Sequence, residues 1–225
     1  EQLKMISNPV CPLCGNQDNQ ARFSQRGYKL CACNNCELLF IDPYPAEIDV
    51  VHKRVSDYSH HEMEIVDPEV DYLSSVLYYK KYLPMVENAC EGARSVLDVG
   101  CGTGYLLQQL GSNRNLYRRG IELNEGRAGI ARNISGCEIH EIPIEQFKSQ
   151  KKFDVIILMN VLSHMHSFDK LFGSLLSLLN DNGKLIFKVG EFSKQTKRID
   201  MFDWEIPDHM HFLGHNTINY ICQKY

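Results

Sequence analysis

Four cysteines near the start of the sequence form two pairs with the same internal spacing. Cys11 and Cys14 are separated by two residues, as are Cys33 and Cys36, and 18 residues lie between the two pairs. Because this spacing lets both thiolates of a pair bind one metal ion, it is typical of a zinc ribbon with four cysteine ligands. We therefore predict a structural zinc site. Cys31 is an alternative ligand, and disulfides instead of zinc would require an oxidising compartment.

A glycine-rich loop after a buried apolar segment is the second candidate site. Gly100, Gly102 and Gly104 let the backbone approach a ligand closely and leave N–H groups free at the start of a helix. The spacing is GxGxG, whereas a dinucleotide site has GxGxxG. Asp98 lies two residues before the loop. Its carboxylate favours a ligand that carries an ammonium group over one that carries a pyrophosphate.

An acidic residue follows the loop at a distance typical of ribose recognition. Glu122 lies 20 residues after Gly102, at the end of the second predicted strand. A carboxylate in this position can accept hydrogen bonds from both hydroxyls of a ribose. Ribose recognition alone also fits NAD. Asp98 and the loop spacing, rather than Glu122, therefore distinguish a ligand with an ammonium group from a dinucleotide such as NAD.

Histidines follow the segments predicted as the fourth and fifth strands, where open α/β sheets bind ligands. His209 is the first candidate for a base that removes a proton from a substrate, and His211 is the second. A structural role is the alternative for every histidine here. Tyr58 and Glu191 are lesser candidates for lining the same pocket.

Alternating strand and helix patterns position these residues. From Arg94 onward, short apolar runs typical of buried strands alternate with segments typical of helices. This alternation predicts an α/β fold with a parallel sheet and helices on both faces. The predicted strands cover 95–99, 119–122, 137–140, 153–159 and 184–189, and the predicted helices cover 105–110, 124–133, 144–148 and 168–179.

The same patterns divide the chain into three regions. We predict a zinc ribbon at 1–42, a linker with a lead-in helix at 43–93, and a cofactor-binding domain at 94–225. Apolar residues at helical spacing over 69–89 mark the lead-in helix, which Pro84 can split.

Composition excludes several classes of protein. The 225 residues include 24 Lys and Arg against 28 Asp and Glu, which gives a formal net charge of −4. This acidic excess argues against a protein that holds nucleic acid through bulk charge. No run approaches the about 20 apolar residues of a membrane-spanning helix, and the first residues lack the apolar core of a signal peptide. We therefore expect a cytoplasmic protein with no membrane partner.

Five short motifs occur in a familiar order. They are DVGCGTG at 98–104, GIEL at 120–123, FDVI at 153–156, NVLSH at 160–164 and NGKL at 182–185. Together they resemble the class I S-adenosylmethionine-dependent methyltransferases, which have a Rossmann-like fold. With the cysteine ribbon, FIDP at 40–43 and WEIPDH at 204–209, the chain is similar to the zinc-ribbon subgroup. That subgroup includes C-methyltransferases that act on nucleotide-linked sugars.

The resemblance implies a role for each residue of the cofactor site. The three loop glycines pack against the methionine and ribose parts of S-adenosylmethionine. Glu122 binds the ribose hydroxyls, and Leu123 contacts the adenine. Asn160 offers its backbone near the amino group of the cofactor.

One position departs from the resembled family. The family often has an acidic residue after the third strand, which accepts from the adenine amino group, and Pro143 stands there in this sequence. The adenine contact must then come from the backbone around Ile144, or from Glu141 or Glu145.

The resemblance leaves the methyl acceptor open. We expect a small molecule, such as a sugar nucleotide or a related metabolite. The alternatives are a ribosomal RNA methyltransferase whose zinc module holds RNA, and a non-catalytic module that only binds the cofactor. The resembled fold closes with two further strands after a helix, which here begins near Asn216. Because the sequence stops at Tyr225, we expect it to be a fragment that lacks those two strands.

Overall fold

The computed structural model describes residues 9–46, 67–112, 115–190, 192 and 204–225. Tyr58 and Glu191, two of the candidate pocket residues, lie outside these ranges. The described residues divide between two compact units, which we name the ribbon unit and the sheet unit. The ribbon unit contains 9–46, Leu162–Asp169 and the described residues from Val189 onward, and the sheet unit contains 67–112, 115–161 and Lys170–Lys188.

An antiparallel sheet of four strands forms the ribbon unit. The strands, in spatial order, are β1 (Asn19–Gln25), β2 (Tyr28–Cys33), β3 (Leu39–Asp42) and β9 (His211–Phe212). Gly27, with φ of +82°, makes the tight turn between the first two strands. Apolar residues of β2 and β3 build the core of this unit, since Leu30, Leu39 and Ile41 are all fully buried.

The fourth strand of this sheet comes from a distant part of the chain. Leu39 pairs with Phe212 and Phe40 with His211, and all four residues are buried. Trp204 packs edge-on against Phe212, with ring centroids 4.5 Å apart. The ribbon unit therefore includes residues that the predicted boundaries place in the domain at 94–225. No local pattern reports this pairing, because a strand of two residues has no periodicity.

A parallel sheet of five strands forms the sheet unit. The strands, in spatial order, are β6 (Glu138–His140), β5 (Tyr117–Ile121), β4 (Ser95–Val99), β7 (Phe153–Met159) and β8 (Leu179–Lys188). Every neighbouring pair is parallel. All five residues of β4 are buried, as expected for a central strand whose two faces are covered. The predicted Rossmann-like α/β fold is confirmed.

Six α-helices accompany the two sheets in the part of the chain that the structure describes. They are α1 (Pro68–Tyr79), α2 (Leu83–Ala89), α3 (Tyr105–Gln109), α4 (Glu125–Ser135), α5 (Phe168–Leu178) and α6 (His215–Lys224). A short 3-10 helix, Lys80–Tyr82, separates α1 from α2, so the predicted lead-in helix is confirmed and is split just before Pro84. None of the helices in the described ranges combines the length and apolar content needed to span a bilayer.

The lead-in helix is fixed at both its start and its side. Asp67 caps α1 by accepting from the N–H of Glu69, and Pro68 occupies the first helical position. Asp71 then accepts two hydrogen bonds from Arg127 of α4, at 2.9 and 3.1 Å. This bidentate pair holds α1 next to the helix that follows β5.

Two predicted elements differ from the structure. Residues 144–146 form a turn and 147–148 are irregular, in place of the predicted helix. The Gln146 N–H donates to the Pro143 carbonyl at 2.9 Å within this turn. Strand β8 begins at Leu179 instead of 184, and its pairing with β7 jumps from Leu179 to Lys184. The first two residues of the NGKL motif, 182–183, lie between these two paired positions.

Gly120 on β5 gives a packing test of the sheet unit. A Cβ at this position would lie 2.7 Å from Cys101 Sγ and 2.9 Å from Leu107 Cδ1. We expect Gly120→Ala to lower the free energy of unfolding by about 1–3 kcal/mol through overpacking. Gly129→Ala on α4 is the matched control, because nothing lies within 4 Å of its Cβ and alanine favours a helix by about 0.5–1 kcal/mol. Urea denaturation measures both, and equal midpoints for the two variants would contradict the packing argument.

Candidate functional site

The glycine loop, residues 100–104, is attached to the end of the neighbouring strand β5. The N–H groups of Gly100 and Cys101 both donate to the carbonyl of Ile121, at 2.8 and 3.0 Å. The Gly104 N–H then donates to the carbonyl of Cys101 at 3.0 Å, which closes a turn before α3. The loop therefore leaves the sheet at its carboxyl edge, where open α/β sheets bind ligands.

Two glycines of this loop are required for different reasons. Gly104 has φ of +83°, and a Cβ there would lie 2.8 Å from Ala131 Cα on α4, so a side chain would push the helix away. Gly102 has φ of +55°, and no atom lies within 4 Å of the place where its Cβ would be. The left-handed backbone favours glycine at both positions. The loop thus presents bare backbone to open space at Gly102.

Asp98 is a buried carboxylate with unused hydrogen-bonding capacity. Its side chain is 2% exposed, and its Oδ1 atom has no hydrogen-bond partner among the described residues. It lines a small cavity together with the loop and two neighbouring side chains, Tyr79 of α1 and Met159 of β7. Burial, followed by the charge of Glu122, raises the pKa of Asp98 to about 7. A cationic group in this cavity would supply the missing partner.

Glu122 lies directly after β5 and faces the loop. Its Oε2 accepts from the N–H of Gly102 at 2.9 Å, and its Oε1 accepts from the N–H of Asn124 at the same distance. Burial raises the pKa of Glu122, although these two bonds and Arg127 act in the opposite direction. Each carboxylate oxygen accepts more than one hydrogen bond, so both oxygens keep capacity for a hydroxyl.

The remaining predicted cofactor residues follow the strands on either side. Leu123 is half-buried next to Glu122, and the Glu122 N–H donates to the carbonyl of His140 at the end of β6. Ile144 follows that strand and is buried, and its carbonyl accepts from the Phe147 N–H at 3.2 Å. The Ile144 carbonyl therefore takes part in a turn, and no hydrogen bond from its N–H is found among the described residues.

Asn160 directly follows β7 and has an unusual backbone conformation. Its φ is +66°, which is rare for a residue other than glycine. Its N–H donates to the carbonyl of Lys188 at 3.0 Å, and its side chain contacts Lys188 and Tyr78. Sequence reasoning missed these two partners. Lys188 ends β8, so its place at the carboxyl edge was a usable signal, whereas nothing in the sequence singles out Tyr78.

The four predicted metal ligands lie together in the ribbon unit. The sulfur atoms of Cys11, Cys14, Cys33 and Cys36 all lie within 4.8 Å of one another. Cys11 Sγ is 3.6 Å from Cys36 Sγ, and Cys14 Sγ is 3.5 Å from Cys33 Sγ. These separations exclude disulfides, whose sulfurs lie about 2.05 Å apart. Cys31 is buried outside this cluster.

The cluster matches a tetrahedral zinc site. Zinc–sulfur bonds of about 2.3 Å place the four sulfurs about 3.8 Å apart, close to the two distances in the ribbon unit. Both pairs adopt the same turn, because Gly15 N–H donates to the Cys11 carbonyl at 2.9 Å and Glu37 N–H donates to the Cys33 carbonyl at 3.1 Å. The hydrogen bond with Cys11, and then burial, raise the pKa of Cys36. A cation at the centre would favour the thiolates instead.

The two predicted bases have different surroundings within the ribbon unit. His211 is fully buried, its Nε2 contacts the hydroxyl of Tyr44 at 2.5 Å, and its Nδ1 lies 3.3 Å from the carbonyl of Leu162. His209 is partly exposed, with its ring 4.4 Å from that of His164. These surroundings favour a structural role for His211 and leave His209 as the stronger candidate base.

His209 and His164 also lie beside a carboxylate. Ligand atoms of His164, Asp208 and His209 come within 4.8 Å of one another, so this group has the donors for a divalent cation. The Nδ1 of His164 is 3.0 Å from the carbonyl of Asp208. Burial, and then the nearby His164, lower the pKa of His209. His209 is therefore a neutral imidazole, able to accept a proton, over a wider pH range than an exposed histidine.

The buried Asp98 carboxyl predicts a pH dependence of stability. An unfolded chain releases this proton near the ordinary pKa of 3.8, and the folded chain holds it to about 7. Between these values the folded state binds more protons. The free energy of unfolding therefore falls as pH rises through the window, by up to about 4 kcal/mol, and stays low above it.

Asp98→Asn removes this contribution without changing the side-chain size. The unfolding free energy of Asp98→Asn minus that of the wild type should accordingly rise from pH 4 to pH 7 and then level off, because only the wild type loses stability over this range. Urea denaturation at several pH values measures it. A difference that stays constant over this range would contradict the assigned protonation of Asp98.

Curated relatives of this chain include methyltransferases. Nodulation protein S of Azorhizobium caulinodans is 29% identical over 127 residues, which cover 51% of this chain and 59% of that protein. Ubiquinone biosynthesis O-methyltransferase of Acinetobacter baumannii is 26% identical over 104 residues, which cover 43% of this chain and 44% of that protein. The chain thus spans about half the length of the curated relatives it matches.

A solved structure and a family model complete the comparison. The plantazolicin methyltransferase BpumL, in complex with a pentazolic desmethylPZN analog and SAH, superposes with a TM-score of 0.49 at 19% identity, covering 62% of this chain and 59% of that one. The model of the methyltransferase domain family matches residues 28–225. That match extends over far more than half of the sequence, and we conclude that the chain belongs to the methyltransferase domain family.

Proposed function

We propose that this protein binds S-adenosylmethionine and transfers its methyl group to a small-molecule acceptor. The observation that carries the proposal is the buried, unpartnered Asp98 carboxylate beside the GxGxG loop. A dinucleotide would bring a pyrophosphate to this position, where the carboxylate would repel it. An amino-acid ammonium would instead complete the hydrogen bonding of Asp98.

The other residues of the sheet unit suit the rest of the cofactor. Glu122 has both oxygens oriented by backbone N–H groups and would accept from the two ribose hydroxyls. The bare backbone at Gly102 leaves room for the ligand to approach. Leu123 would contact the adenine, and the Ile144 N–H would donate to it in place of the acid that Pro143 replaces. The cofactor supplies a methyl group on a sulfonium, which is a reactive electrophile.

The backbone beyond β7 would position the reacting end of the cofactor. Asn160 is held in a left-handed conformation by its N–H bond to Lys188. Met159, its neighbour, lines the same cavity as Asp98. Since methyl transfer is an in-line displacement, the main task of these residues would be to align the cofactor with the methyl acceptor and to exclude water.

A small molecule is the acceptor class that the chain suits best. The curated relatives include a ubiquinone biosynthesis O-methyltransferase, and the net charge of −4 argues against a polyanionic RNA. A nucleotide-linked sugar is our more specific candidate for the acceptor, because the sequence resembles the zinc-ribbon subgroup of methyltransferases. For acceptors that must lose a proton, His209 stays our predicted base.

We also propose that the four clustered cysteines bind one structural zinc ion. Four thiolates fill a tetrahedral coordination shell, so no position is left for a reacting water. The described core of the ribbon unit is small, and a bound metal would stabilise it in the way that structural zinc stabilises other short domains.

Calorimetric titration with S-adenosylmethionine tests the proposed cofactor. We expect binding by the wild type, and a loss of about tenfold to a hundredfold in affinity for Glu122→Gln, because a charged hydrogen-bond acceptor to ribose is removed. Glu125→Gln is the matched control, since Glu125 is an exposed acid on the following helix. Wild-type protein that binds NAD and not S-adenosylmethionine would overturn the proposal.

Metal analysis of the purified full chain tests the zinc site. We expect one zinc per chain, removal of the metal by a strong chelator, and a lower unfolding temperature after removal. Cys14→Ser should bind zinc much more weakly, whereas Cys31→Ser, which changes a buried thiol outside the cluster, should keep it. Metal-free protein with an unchanged unfolding temperature would contradict the site.

A further inference from the structure

Three polar side chains of the sheet unit form a closed triangle of hydrogen bonds. Lys188 Nζ donates to the hydroxyl of Tyr78 and, at 2.9 Å, to Oδ1 of Asn160. Asn160 Nδ2 donates to the same Tyr78 hydroxyl at 3.2 Å. The residues come from α1, from the end of β7 and from the end of β8. Distant segments of the chain therefore converge on one phenolic oxygen.

This triangle lies beside the proposed cofactor cavity. Tyr79 and Met159, the chain neighbours of Tyr78 and Asn160, both line the cavity that contains Asp98. On the other side of Asn160, Val161 is so close to the glycine loop that a Cβ on Gly100 would lie 2.7 Å from its Cγ2. A group bound at the triangle would thus lie next to the cofactor.

The hydrogen bonds within the triangle occupy both lone pairs of the Tyr78 oxygen and one of the two on the Asn160 oxygen, and they leave several donors. The Tyr78 oxygen accepts from two groups, and the Asn160 oxygen accepts from the Lys188 ammonium. What remains is the Tyr78 hydroxyl proton, the second N–H of the Asn160 amide and the third N–H of Lys188. Three free donors against one remaining acceptor position favour a ligand that offers several acceptor oxygens.

Positive charge at this place is not neutralised by a described carboxylate. Lys188 Nζ lies 5.0 Å from the Tyr78 ring centroid and 5.8 Å from that of Tyr82. Lys81 Nζ lies 5.5 and 5.0 Å from the same two centroids. Within the described ranges, neither lysine forms an ion pair with an acidic side chain. Two ammonium groups thus share two aromatic rings, and each keeps its charge available.

We propose that Tyr78, Asn160, Lys188 and Lys81 form an anion site that binds a phosphate group carried by the methyl acceptor. A phosphate bears about 1.5–2 negative charges and three acceptor oxygens at neutral pH, which matches the two ammonium groups together with the Tyr78 hydroxyl and the free Asn160 N–H. A single carboxylate would neutralise only one lysine. The inference rests on the proposed methyl transfer, since it places the phosphate next to the cofactor and so selects phosphorylated acceptors.

Titration of the full chain with inorganic phosphate tests this site without knowledge of the acceptor. The wild type, saturated with S-adenosylhomocysteine, should bind phosphate in a calorimeter at low ionic strength. Lys188→Met and Lys81→Met, which keep the aliphatic stem, should each weaken phosphate binding about tenfold. Tyr78→Phe should weaken it less, because only a neutral donor is lost.

Lys184→Met is the matched control on the same strand. Lys184 donates to the carbonyl of Ala89 at 3.2 Å, outside the triangle, so this variant should bind phosphate like the wild type. Equal weakening by Lys184→Met and Lys188→Met would show a general charge effect and overturn the site. Wild-type protein that does not bind phosphate would overturn it as well.

Further titrations separate the possible sources of the anion. If S-adenosylhomocysteine abolishes phosphate binding, or if Lys188→Met loses affinity for S-adenosylhomocysteine, the lysines hold the carboxylate of the cofactor and the inference fails. Acetate that binds as tightly as phosphate would also overturn the choice of ligand. The proposed function fails on a different result, the absence of S-adenosylmethionine binding by the wild type.

Discussion

One peptide carbonyl, that of Ile121, organises the sheet unit around its ligand site. It accepts hydrogen bonds from two successive N–H groups at the start of the glycine loop, and this pair of hydrogen bonds fixes where the loop leaves β4. Glu122 follows Ile121 directly, so the same attachment brings its carboxylate to the Gly102 N–H. The buried Asp98 then lies at the base of the loop, and its Oδ1 has no hydrogen-bond partner among the described residues. The proposed recognition of a ribose and of an ammonium group would therefore follow from how two neighbouring parallel strands end.

The two units solve the problem of stability in different ways. The sheet unit buries continuous apolar strands, such as Val96 and Leu97 of β4, which are completely inaccessible. The ribbon unit has short strands, and it combines a cysteine cluster with the aromatic residues Trp204 and Phe212. A bound cation at the centre of this cluster would favour the thiolate form of its sulfurs and so stabilise the described geometry.

Local patterns predicted most of the sheet unit, because its strands and helices are long enough to show a period. The loop glycines and both acids were found for the same reason, since their spacing is a local property of the chain. The predicted helix at 144–148 was wrong, since this segment forms only a short turn that ends at Phe147. The pairing of β9 with β3 and the contacts of Tyr78 depend on tertiary placement, which one sequence does not encode locally.

The attachment of β9 to β3 also has a meaning for biosynthesis. Phe40 and its partner His211 are separated by 171 positions along the chain. On the ribosome, the first three ribbon strands and all four cysteines emerge long before the strand that completes their sheet. The cysteine cluster can therefore form early and hold a three-stranded intermediate, whose open edge at β3 stays exposed until synthesis of the sheet unit is finished.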